Sequence, residues 1–207
     1  MPKRADHQQR RRQIIEALWR ITTRGGLNAA SFRDVAAEAG VSVRLVQYYF
    51  GTKDQLLLSA LGALAEQVGG RITTRLADLG DDASPREIVH AMLDQFLPTD
   101  DASRQAMLLF IAFQTASLTD PSLARAEALQ VPRSLLAFMA DQLRQAQQQG
   151  AASQDIDPDK EAIALVAILT GLASGVLGNN FTIEEAAAII DYTLDRLFRP
   201  AEAPRGC

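Results

Sequence analysis

Apolar positions recur at three- and four-residue steps along almost the whole chain, the period of helices buried on one face. Ile14, Leu18 and Ile21 share such a face, which predicts a first helix over about residues 6–23, ended by Gly25 and Gly26. After a connection at 27–30, Ser31 is placed to cap a short second helix, 32–39, with Asp34 at the third position beyond the cap. Gly40 stops that helix, and Ser42 caps a third over 43–50. Gly51 breaks it, and Thr52 caps a long fourth helix from Lys53 to about Leu79, with a kink suggested at Gly69-Gly70.

The same signals continue to the end. A fifth helix is expected over about 85–97 behind Ser84-Pro85, and a sixth over about 102–118. A seventh begins near Pro121 and runs to about Gln149 with a bend at Pro132. Asp157-Pro158 opens an eighth that ends near Gly178, and Thr182 caps a ninth that reaches about Phe198 before Pro200. No stretch alternates in the manner of a strand. The expectation is an all-α fold of about nine helices: an N-terminal three-helix domain over 1–52 and a C-terminal helical domain over 53–207.

Within residues 31–50 the pattern is more specific than helicity. SFRDVAAEAGVSVRLVQYYF reads as helix, tight turn at Gly40, helix. Val35, Ala36 and Ala39 are placed to pack against Val41, Val46 and Phe50, and the small alanines allow close approach. That is the layout of a helix-turn-helix, whose second helix enters the major groove of DNA. With those apolar positions inward, Val43, Arg44, Leu45, Gln47 and Tyr48 remain outside. Arg pairs with guanine edges and Gln with adenine, and the methyls of Val or Leu meet thymine. The amides opening the third helix at Ser42 suit a phosphate, and the hydroxyls of Tyr48 and Tyr49 can donate to one.

Charge sharpens this picture. Residues 1–60 hold ten lysines and arginines against five aspartates and glutamates, a net +5; the remainder holds eleven against twenty, −9, for −4 overall. A basic N-terminal part on an acidic body points to a polyanion partner for the first sixty residues. Lys3-Arg4 and Arg10-Arg11-Arg12 can reach flanking phosphates or the minor groove. Lys53 opens a helix whose dipole it opposes, which is favourable only with an anion nearby.

Residues 10–60 resemble the DNA-binding domain of the TetR family of bacterial repressors. The resemblance is carried by Ser31-Phe32-Arg33-Asp34-Val35-Ala36, Ala39-Gly40-Val41-Ser42, Tyr49-Phe50, Lys53 and Leu56-Leu57. A weaker likeness joins 171–198 to the C-terminal part of the betaine-type repressor branch. The resemblance implies phosphate contacts by Ser31, Arg33, Ser42, Tyr48, Tyr49 and Lys53, with Val43, Arg44, Leu45 and Gln47 facing bases. The family often has glycine where Arg44 stands and tyrosine where Gln47 stands, so operators of relatives do not transfer.

The resemblance also implies a sensor and a dimer interface in helices five to nine. Gly171, Ser174 and Gly175 would let another helix pack closely, and Ile189, Ile190, Thr193, Leu194 and Leu197 line an apolar stripe. Two such helices from each subunit would make a four-helix bundle. Phe96, Met107, Phe110, Phe113, Gln114, Ser117 and Phe138 are candidates for an effector pocket, with plain core packing as the alternative. No charge lies inside the apolar run of the sixth helix, so a small, mostly apolar effector is expected.

Other chemistry is weakly supported. One cysteine, Cys207, and two histidines, His7 and His90, offer no metal cluster. Asp155, Asp157 and Asp159 begin like a calcium loop, but Lys160 stands where glycine is needed. No nucleophile motif such as G-x-S-x-G is present. Residues 162–178 are uncharged, at the short edge of a membrane span, and are diluted by glycine, serine and threonine. These features give a cytoplasmic, cofactor-free homodimer that binds a palindromic double-stranded operator and a small-molecule effector, with no membrane and no catalytic residue. Control by a protein partner, or an all-α enzyme, are the competing readings.

Overall fold

The computed structural model describes residues 2–124 and 133–199. Among these there are ten α-helical segments, a single 3-10 turn at Leu27–Ala29, and no strand. The helices are α1 (Pro2–Gly25), α2 (Phe32–Ala39), α3 (Val43–Phe50), α4 (Lys53–Leu79), α5 (Pro85–Asp94), α6 (Asp101–Ser117), α7 (Pro121–Ala124), α8 (Arg133–Gln148), α9 (Pro158–Leu177) and α10 (Ile183–Leu197). The all-α expectation holds. α1 starts four residues earlier than its apolar face suggested, because Pro2 is accommodated where a helix needs no N–H. α5 ends at Asp94 rather than near Leu97, and a turn carries Gln95 to Leu97. α4 stays helical through Gly69 and Gly70. The middle of the expected seventh helix, with the bend at Pro132, lies outside the described residues.

The helix starts are fixed by side chains that satisfy orphan amides. Ser31 and Asp34 form a reciprocal capping box on α2, as do Ser84 and Glu87 on α5 and Thr182 and Glu185 on α10. Asp157 accepts from the amides of Asp159 and Lys160 at the start of α9.

By its contacts the chain divides into two compact units. The first comprises residues 1–67 and 108–130, the second 68–107 and 131–207. These cuts differ from the 52/53 boundary read from the sequence, since α4 and α6 each run through both units. In the first unit α1 packs on α2 and α2 on α3. Its core joins Ile14, Leu18, Val35, Val46, Phe50, Leu56 and Leu61 to two residues from far along the chain, Phe113 of α6 and Leu123 of α7. Arg20 Nε donates to Glu38 Oε1 at 2.7 Å, and Arg24 binds the other carboxylate oxygen, tying α1 to α2.

In the second unit α5 packs against α8 and α10, α8 against α9, and α9 against α10. Val89, Met92, Leu97, Met139, Leu143, Leu165, Leu169, Ile190 and Leu194 fill the interior. Arg86 of α5 reaches Asp195 at 2.7 Å and Asp191 at 3.1 Å on α10, and His90 lies between Asp94 and Asp191.

Two predictions follow from the first unit's packing. Phe113 is fully buried, so Phe113→Ala removes a large core side chain and destabilises by about 3–5 kcal/mol; the midpoint of urea unfolding of the helix-turn-helix unit measures it. The hydrogen bonds from Arg20 and Arg24 hold the Glu38 carboxyl below its ordinary range. A depressed carboxylate stabilises above its unfolded value and loses that contribution as pH falls through its folded value. Glu38→Gln therefore melts lower than the parent at pH 7, and the gap narrows below about pH 4.5, as melting curves across that range will record.

Candidate nucleic-acid interface

α3 is only eight residues long, and eight residues do not hold a helix in water unaided. Its conformation is imposed at both ends and on one face. Gly40, at φ +65° in the left-handed region, ends α2 and turns the chain. Ser42 Oγ accepts from the Leu45 amide at 3.2 Å, which starts α3. Gly51, at φ +68°, ends it, and the Gln55 side chain occupies the space a Cβ would need. On the inner face Val46 and Phe50, one turn apart, are buried in the first unit's core.

The outer face is then determined. Val43, Arg44, Gln47 and Tyr48 are exposed, Tyr48 to 74%, while Leu45 and Tyr49 are half-buried. Arg33 on α2, Arg44 on α3 and Lys53 at the start of α4 are exposed and make no ion pair among the described residues. The nearby carboxylates are committed elsewhere: Glu38 to Arg20 and Arg24, Asp34 to the Ser31 cap. The Ser31 bond holds the Asp34 carboxyl below its usual range. Unpaired cations beside free helix-start amides make a surface suited to a polyanion.

Not every expected contact residue is equally free. The Ser31 hydroxyl is spent on its cap, donating to the Asp34 carboxylate while accepting from the Asp34 amide. Ser42 only accepts, so its hydroxyl proton remains available. Tyr49 lies between two rings, tilted against His7 at 4.5 Å and edge-to-face with Tyr48 at 5.4 Å. The arginine run divides. Arg11 donates to Ser59 Oγ at 2.8 Å and lies 5.1 Å over the Phe50 ring, Arg10 donates to Gln13, and Arg12 is exposed without a partner among the described residues. An open cleft of about 460 Å³ lies beside the end of α3, lined by Arg11, Tyr48, Tyr49, Gln55, Leu58 and Ser59. Sequence reasoning missed Gln55, Leu58 and Ser59. The only signal was that Arg11 precedes Ile14, Ile15 and Leu18 on the inward face of α1.

Comparison with known proteins places this geometry in a family. Residues 14–60 match the family described as "Bacterial regulatory proteins, tetR family", and 85–199 match "BetI-type transcriptional repressor, C-terminal". The chain belongs to the TetR family. It is a DNA-binding transcriptional regulator with a helix-turn-helix. It is 33% identical over 177 residues to the HTH-type transcriptional regulator PksA of Bacillus subtilis (strain 168), covering 84% of this chain and 81% of that protein. It is 29% identical to the regulator BetI of Proteus mirabilis (strain HI4320), covering 94% of each. A transcriptional regulator from Saccharomonospora viridis, solved in complex with choline, superposes with a TM-score of 0.79 at 26% identity, over 89% of this chain and 95% of that one.

The residues expected to serve the TetR-family sensor and dimer are distributed differently from the sequence reading. Phe96, Met107 and Phe138 belong to the second unit, whereas Phe110, Phe113, Gln114 and Ser117 belong to the first. Phe113 is a core residue of the helix-turn-helix unit, and Ser117 donates to the Gln114 carbonyl. On the expected interface, Ile190, Leu194 and Leu197 are buried in the second unit's own core, because that stripe faces α5 and α9. Gly175 is buried too, with the Phe181 ring where a Cβ would stand. Gly171, Ser174 and Ile189 are exposed, and Thr193 is half-exposed.

Lys53→Ala is expected to weaken binding to all DNA sequences alike and to lower the slope of log affinity against log salt by about one. Titrations of one duplex at several salt concentrations test both effects.

Proposed function

We propose that this chain is a homodimeric repressor that holds a palindromic operator and releases it when a small molecule binds. The observation that carries the reading is the outer face of α3: Arg44, Gln47 and Tyr48 exposed, with Lys53, which makes no ion pair among the described residues, close by in sequence. In this reading residues 1–52 and Lys53 contact DNA in the cytoplasm. Ser42, Arg33, Tyr48, Tyr49 and Lys53 meet phosphates, and Val43, Arg44, Leu45 and Gln47 face bases. The rest of the chain binds the effector and dimerises.

Two features of the second unit support the remaining parts. α9 is long and apolar enough to cross a membrane, yet only 39% of its most apolar stretch is buried. Ile163 at 57% exposure, Gly171 and Ser174 on α9 lie open, as do Ile189 at 46% and Tyr192 at 59% on α10. A second copy of the same two helices would cover such a face, and paired recognition helices suit half-sites about 34 Å apart. For the effector, Arg71 Nε and Gln142 Oε1 are buried in this unit without a hydrogen-bond partner among the described residues. A buried donor and a buried acceptor left open are unfavourable unless something polar meets them. A small molecule with an apolar body and one or two polar groups fits that requirement. A regulator of similar fold has been solved with a small molecule, choline, bound. Release needs only about 1–3 kcal/mol of preference for a state with different half-site spacing.

Selection of bound fragments from random double-stranded DNA tests the reading: a palindromic motif is expected, and motif-free binding overturns it. Ile189→Glu places a charge on the open face of α10. It is expected to sediment as a monomer and to lose at least tenfold in affinity for the full palindrome, while a single half-site is bound as before.

A further inference from the structure

The inference concerns which base the helix-turn-helix reads, and it rests on the regulator reading above. At about 100° per residue, Val46 and Phe50 define the inward direction of α3, and Arg44 then falls about 140° away from it. Arg44 and Tyr48, one turn apart, form the outermost ridge, with Leu45 and Gln47 on its flanks. Residues in the first turn of such a helix are those that reach base edges, and Arg44 is the second residue of α3.

Arg44 is not needed as the phosphate ligand at the start of α3, because Ser42 Oγ, which accepts from the Leu45 amide, keeps its hydroxyl proton for one. Nor is it a structural cation. It makes no hydrogen bond or ion pair among the described residues, and it stands in the first turn, where a positive charge opposes the helix dipole. A residue that is unfavourable for its own helix, faces outward and lacks a partner is best accounted for by one outside the chain. The planar guanidinium fork matches the paired O6 and N7 acceptors of guanine in the major groove, a geometry a lysine ammonium cannot reproduce.

We propose that Arg44 fixes a guanine at one position of each operator half-site, and that Gln47 governs a separate, neighbouring position. Fragment selection with the full chain and its Arg44→Ala, Arg44→Lys and Gln47→Ala variants tests this. The parent is expected to give a palindrome with one invariant guanine per half-site. Arg44→Ala should lose the preference at that position alone, Arg44→Lys should relax it, and Gln47→Ala should leave it intact. Replacing that guanine by 7-deazaguanine, which removes the N7 acceptor, should weaken the parent about five- to a hundredfold and leave Arg44→Ala unaffected. An Arg44→Ala variant that keeps the parent motif, or loses affinity for all sequences equally with a salt slope lower by about one, overturns the proposal and leaves the regulator reading standing. A parent that yields no motif overturns both.

Discussion

Two side chains determine which way the recognition helix faces. α3 is too short to be a helix on its own account, and its inner face consists of Val46 and Phe50, both buried in the first unit. Their burial settles the direction of every other residue on α3. Rotating the helix by one residue would turn Arg44 toward the core and bring Leu45 to the ridge. The glycine turns at Gly40 and Gly51 and the Ser42 cap serve this single requirement: they fix the ends, so that two apolar contacts suffice to fix the rotation.

That rotation is in turn secured from a distance. Phe113 and Leu123 complete the core that receives Val46 and Phe50, although roughly sixty residues separate them from α3. The DNA-contacting helices therefore do not own their core outright. A change that withdraws Phe113 weakens the floor on which α3 rests without touching a single DNA contact. Residues 101–107 of the same helix belong to the second unit.

The parts of this arrangement legible in the sequence were those set by neighbours a few residues apart. Ser31, Ser42, Thr182 and Asp157 declared their helices, and the i, i+4 spacing of Val46 and Phe50 gave the outward face of α3. What depends on distant partners was not legible. Phe113 looked like a pocket aromatic because an all-round apolar helix does not say which side is filled by core. The stripe on α10 has two edges, and only the fold shows that Ile190 and Leu194 turn inward while Ile189 and Tyr192 stay open. Arg11 read as one member of a run reaching for phosphates, and only the fold shows its contacts with Ser59 and the Phe50 ring.

The unequal treatment of the cations follows the same logic of partners. Arg20 and Arg24 share Glu38, Arg86 holds Asp191 and Asp195, and Arg144 holds Asp141 and Asp159. With so many acidic residues available and the whole chain net negative, the lack of an ion pair to Arg33, Arg44 or Lys53 among the described residues is not a shortage of carboxylates. Asp34 is the informative case. It lies next to Arg33 in sequence, yet its carboxylate is turned back onto Ser31 to cap α2. A capping carboxylate strengthens the helix that braces α3, and the Arg33 charge beside it favours its ionised form.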